Sequence, residues 1–172
     1  MKAFVFTDTH FGVRSGNTEW QTIQQEAFTK WIIPYIKKNF KEGDVILHCG
    51  DVFESRQSIP LRTLSLVEEL FEELGKIGPV HIILGNHDCH EINTTKINSV
   101  KPFKWMPNIH LYEEPVMKEW GGKKVLLMPW RRNSEHEIET FKKWGGADYL
   151  FCHTDVLGAK LNRVSKVEHG NH

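Results

Sequence analysis

Reduced to apolar and polar positions, the chain alternates short apolar runs with stretches whose apolar residues recur at helical spacing. The runs "KAFVFTD", "DVILHCGD", "VHIILGNHD" and "ADYLFCHTD" predict strands. Within residues 20–40, Ile23, Ala27, Phe28, Trp31, Ile32, Tyr35 and Ile36 mark one helical face. Leu61, Leu64, Val67, Leu70, Phe71 and Leu74 mark a second. Pro34 is expected to bend or stagger the first helix, and Gly75 with Gly78-Pro79 to stop the second. "NIHLYEE", "VMKEW" and "KKVLLMPW" predict further strands, the last two joined by a hairpin at Gly121-Gly122. "EHEIETFKKW" predicts a short helix. The strand–helix–strand rhythm predicts an α/β fold with a largely buried sheet. No repeat or interdomain linker interrupts it, so residues 1–172 read as one domain.

Charge narrows the partners. Twenty-two basic residues balance twenty-two acidic ones, so contact with DNA or an anionic surface must rest on local patches or bound cations. The apolar run Ala3–Phe6 is too short for a signal segment or a membrane span. Cysteines at 49, 89 and 152 form neither a disulfide framework nor a CxxC motif, so a reducing, cytoplasmic setting is expected.

The chemistry gathers at strand ends. "FVFTDTH", "VILHCGD", "HIILGNHD" and "YLFCHTD" each pass from an apolar run into Asp, His or Asn. In open α/β sheets the crevice beyond the strands' carboxyl ends is the usual ligand site. Asp8, His10, Asp51, Asn86, His87, Asp88 and His153 are therefore expected to converge. Asp8 and His10, two apart in extended backbone, would point to one side. Gly50 and Gly85 would let their loops turn and ions or phosphate approach. Carboxylate, imidazole and amide oxygen together suit manganese, iron or zinc. A lone DxH or Gly-Asp is weak, being common in turns and caps; the signal lies in the joint occurrence. His48 and His81, inside strands, read as packing or supporting groups. Alternation turns Cys152 away from whatever His153 faces, and all three cysteines read as structural.

In this order "DTHFG", "GDVFESR", "GNHD" and "CHTD" resemble the calcineurin-like metallophosphoesterase superfamily. Within it they are most similar to the SbcD-like DNA double-strand-break repair nucleases and their phage recombination counterparts. The resemblance implies layered sheets flanked by helices and two divalent metal ions, with manganese expected. It implies that Asp8 and His10 hold the first ion, that Asp51 bridges both, and that Asn86 and His153 hold the second. His87 would act on the scissile phosphate as general acid or transition-state stabiliser, with Asp88 orienting its ring. The implied partners are DNA and a coiled-coil ABC-type ATPase; a homodimer stays open, and no membrane is implied. Arg14, Arg56, Arg131 and Arg132 are candidate DNA contacts. The family closes its site with Gly-His-x-His after one more strand, whereas His169 and His172 stand as HxxH. The expectation is thus an N-terminal catalytic portion without the last strands and the capping domain. Two other readings stay open: a phosphatase or small-molecule phosphodiesterase of the same superfamily, and a non-catalytic assembly module.

Overall fold

The computed structural model describes residues 1–91, 93–130 and 134–155; Arg131, Arg132, His169 and His172 lie outside them. Four parallel strands form the first sheet in the order β1 (Ala3–Phe6), β2 (Val45–His48), β3 (Val80–Ile83) and β4 (Ile109–Tyr112). The two central strands are buried at every residue, which explains their unbroken apolar runs. Alternate side chains serve two cores. Ile46, Ile82 and Leu84 pack with Leu66, Val67, Leu70, Phe71 and Leu74 on the helical side. Val45, Leu47 and Ile83 pack with Trp120, Val125 and Leu127 of the second sheet. That sheet comprises β5 (Val116–Trp120), β6 (Lys123–Met128) and β7 (Tyr149–Cys152), antiparallel in its first pair and parallel in its second. Gly121 and Gly122, at φ 56° and 73°, close the expected hairpin. No helix among the described residues is long and apolar enough to cross a membrane.

The helices are α1 (Val13–Gly16), α2 (Thr18–Glu26), a π-helical segment (Ala27–Ile32), α3 (Ile33–Asn39), α4 (Leu61–Ile77) and α5 (Ser134–Trp144). Pro34 does stagger its helix. The Ile33 amide bonds five residues back to the Phe28 carbonyl, and this wider turn lies immediately before Pro34, which has no N–H to give the helix. Gly75 does not stop its helix, which runs on to Ile77. A side chain at that position would meet the Pro107 carbonyl, so the glycine serves packing rather than termination. The expectation of a largely buried sheet fails at the edges: Val5 of β1 is half exposed, and so are Tyr149 and Leu150 of β7. Periodicity shows that a strand is apolar, not whether a neighbour covers it.

Candidate metal centre

Three parallel strands, β1 to β3, end at one rim, and the loops that follow them are zipped together by backbone hydrogen bonds. The Asp8 amide donates to the Gly50 carbonyl, His10 to that of Asp51 and Phe11 to that of Val52, at 2.9–3.0 Å. The loops touch so closely that two glycines are obligatory. A Cβ at Gly50 would stand 2.6 Å from the Gly85 nitrogen, and one at Gly85 would overlap the Asp51 carboxylate. What approaches these glycines is therefore the neighbouring loop. Asp8, His10 and Asp51 also take left-handed backbone, at φ 53°, 44° and 56°. The extended geometry expected for Asp8 and His10 gives way to turns beyond the end of β1, yet their side chains still meet. Such outliers cost about 1–3 kcal/mol each and persist only where the surroundings over-determine them.

All seven expected residues come together here. His10 Nε2 lies 3.6 Å from Asp8 Oδ1 and 3.6 Å from Asp51 Oδ2. On the other side His153 Nε2 lies 3.5 Å from the same Asp51 oxygen and 2.9 Å from Asn86 Oδ1. Two overlapping groups result, His10–Asp51–His87 and Asp8–Asp51–His153, and they share Asp51. Donor atoms bonded to one ion at about 2.0–2.2 Å sit about 3–3.5 Å apart, which matches these spacings. The lone pairs also point inward. His153 Nδ1 lies 2.9 Å from the Cys49 carbonyl, so it carries the proton and Nε2 is bare. The Asn86 amide can present either atom to this nitrogen, and its oxygen together with Nε2 would suit a cation. Without a cation the Asn86 amide is satisfied by turning over: its NH₂ then donates to His153 Nε2 and Asp51 Oδ2, and its oxygen accepts from Arg56 at 3.1 Å. The donor set thus fits divalent metal, and Asp51 belongs to both groups.

Asp88 departs from its expected place. Its buried carboxylate accepts four backbone N–H groups, from Asp51, Val52, Phe53 and Gly85 at 2.8–3.3 Å. It pins two metal-site loops together rather than orienting the His87 ring. Burial pushes its carboxyl up to about 6, against the pull of the amides. The His87 ring is held instead by the Glu54 carbonyl, 2.6 Å from Nδ1, which leaves Nε2 facing the site. His87 also anchors Asp51, its amide donating to Asp51 Oδ1 at 2.8 Å.

Glu54 and Thr9 escaped the sequence reading. The Glu54 carboxylate stands 2.7 Å from His10 Nδ1, close but poorly aligned for a hydrogen bond. It still favours the tautomer that leaves Nε2 to a metal. His48, expected to pack or support, does both. Its Nδ1 accepts from the Gly50 amide at 3.1 Å and its Nε2 meets the Thr9 hydroxyl at 3.0 Å, while burial lowers its pKa to about 3. It is a neutral strut between two loops. The cysteines stay outside the donor groups among the described residues, and burial raises the Cys49 thiol to about 12.

Residues 1–172 match the calcineurin-like phosphoesterase family. Exonuclease subunit 1 of Enterobacteria phage T4 is 30% identical over 161 residues, covering 92% of this chain and 47% of its own. The chain thus spans about half the length of that relative. Among solved structures, a protein of unknown function from Aquifex aeolicus aligns over 96% of this chain and 83% of its own, with 18% identity and a TM-score of 0.54. That likeness concerns the fold alone. A nuclease, MPE, from Pseudomonas putida aligns over 73% of this chain and 52% of its own, with 20% identity and a TM-score of 0.47, too distant to carry an argument.

Proposed function

Because this chain belongs to the calcineurin-like phosphoesterase family, we propose that it carries a two-metal phosphodiesterase centre that hydrolyses DNA, as the nuclease subunit of a repair or recombination complex. One observation carries the reading: a single oxygen, Asp51 Oδ2, faces imidazole nitrogens from both sides, at 3.6 and 3.5 Å. Motif resemblance gives Asp8 and His10 to one ion and Asn86 and His153 to the other, whereas the donor atoms group Asp8 with His153 and His10 with His87 about the shared Asp51. Manganese is the expected metal for such mixed oxygen and nitrogen donors. When bound, a divalent pair supplies the charge that neutralises a phosphodiester and lowers the pKa of the attacking water.

The chain's own groups do the rest. Because the Glu54 carbonyl holds the Nδ1 proton, the protonated His87 ring presents its second N–H, at Nε2, into the site. From there it donates to the departing sugar oxygen, and Nε2 is left bare. The Asp88 carboxylate fixes the loop that carries Asp51, so the Asp51 oxygen facing both imidazoles needs no rearrangement as charge develops. The DNA substrate and the subunit role draw support from the phage relative's name; a coiled-coil ABC-type ATPase partner rests on motif resemblance alone.

Manganese-dependent cleavage of labelled DNA, set beside hydrolysis of p-nitrophenyl phosphate, tests the reading. Cleavage of DNA but not of the monoester is expected, falling at least about a thousandfold in Asp51→Ala. Turnover of the monoester alone would make the protein a phosphatase.

A further inference from the structure

Beside the metal centre runs a cleft of about 470 Å³, walled by Arg14 and Ser15 on one side and by Ser55, Ser58 and Ile59 on the other. Glu54, which also lines it, joins it to His10. Its volume falls within the range of small-ligand sites, roughly 300–1,000 Å³.

The first wall is a strained turn. Arg14 (φ 55°, ψ 49°) and Ser15 (φ 56°, ψ 35°) are left-handed without being glycine, and Gly16 follows at φ 72°. The turn is fastened at both ends. The Gly16 amide donates to the Gly12 carbonyl at 2.8 Å, and Asn17 caps α2 by accepting from Glu19 and Trp20. A Cβ on Gly16 would come within 3.1 Å of Pro60, so the turn closes one end of the cleft against the chain leading into α4.

This backbone sets the Arg14 guanidinium over the Trp20 ring, 4.8 Å from its centroid. Among the described residues no carboxylate lies within ion-pair distance of Arg14. An arginine held by an aromatic face, and not neutralised by an acid, keeps its N–H fork free for an anion. Across the cleft, the Ser55 oxygen accepts the amides of Gln57 and Ser58, at 3.3 and 3.1 Å, which leaves its own O–H to donate. Ile59 adds an apolar surface. The Glu54 carboxylate, also in the lining, is turned to His10 Nδ1 at 2.7 Å. The cation, hydroxyl donors and apolar floor beside it match the chemistry of one nucleotide.

We propose that this cleft is a nucleotide subsite, resting on the phosphodiesterase reading above. It receives the nucleotide next to the phosphate under attack, and the Arg14 guanidinium, stacked on Trp20, grips that neighbour's phosphate. A small phosphomonoester does not extend into it, so the cleft favours a polynucleotide strand.

The test is anisotropy of a labelled single-stranded DNA oligonucleotide titrated with the whole chain, without divalent metal so that no turnover intervenes. Arg14→Ala should weaken binding about tenfold and reduce the slope of log K against log salt by about 0.7, one phosphate contact on a single strand. Arg14→Lys should keep the slope while losing part of the affinity. Trp20→Ala should lose affinity with the slope intact, since the charge remains. Circular dichroism confirms that each variant is folded. Equal affinity and slope in Arg14→Ala, with the wild type binding, would overturn the subsite and leave the nuclease reading standing. No oligonucleotide binding by the wild type would overturn the subsite, while manganese-dependent cleavage decides the nuclease reading separately.

Discussion

The loops around Asp51 and the turn at Arg14 share one backbone feature, left-handed φ on residues that are not glycine, yet they are restrained in opposite ways. Asp51 is buried, and its loop hangs on the Asp88 carboxylate, which is buried as well. Arg14 and Ser15 are exposed, and their turn is held by two backbone bonds, Gly16 to Gly12 and Asn17 to Arg14, and a helix cap. In the first region strain is locked by a polar network that the fold cannot lose. In the second it is local, and its removal should leave the fold intact. Strain alone therefore does not say what a residue does. What restrains it says how much else falls with it.

The largest break in this comparison should come from Asp88→Asn. The amide cannot accept all four N–H groups, and its NH₂ would face backbone donors. A loss of about 3 kcal/mol is expected in urea denaturation, since buried donors are left unpaired. Metal affinity should fall with it.

Acid probes the buried struts. Burial lowers the folded-state pKa of His48 to about 3 and that of His81 to about 4, both below the ordinary 6.5. The unfolded chain therefore binds more protons below pH 6.5, so stability falls with pH from there toward 4. Asp88 acts in the opposite sense. Its folded pKa of about 6 exceeds the usual 3.8, so the fold takes up that proton first and gains stability as pH drops through 6. With two imidazoles against one carboxyl, a net loss on the order of 2 kcal/mol is expected between pH 7 and 4.5. His81→Phe should flatten the denaturation midpoint against pH.

The smallest effect, with the opposite sign, should come from Ser15→Gly. Glycine accepts φ 56° freely, so thermal unfolding should show a gain of about 0.5–1 kcal/mol. A loss would mean that the turn at Arg14 is held by more than its two backbone bonds and the cap.

These regions also mark where the sequence stops speaking. The site's members were legible because polar residues at strand ends add nothing to a core, and four such ends recur in order. Their backbone was not. Left-handed Asp8, His10 and Asp51 result from hydrogen bonds between loops more than forty residues apart in sequence. The role of Asp88 was misplaced for the same reason, because GNHD does not show that its carboxylate turns toward the amides of another loop. Glu54 carried no pattern of its own. Its contacts with His10 and His87 follow from the path of the chain after Asp51. In the fold, the central strands announced themselves by composition, whereas exposure of β1 and β7 depends on their places at the sheet edges.

Calorimetric titration with manganese tests most directly the proposal that Asp51 bridges two ions. Two sites are expected in the wild type, with Asp51→Ala weakening both by at least about tenfold, because one carboxylate oxygen faces donors on either side. A single site, or an Asp51→Ala variant that binds two ions as tightly as the wild type, would contradict it.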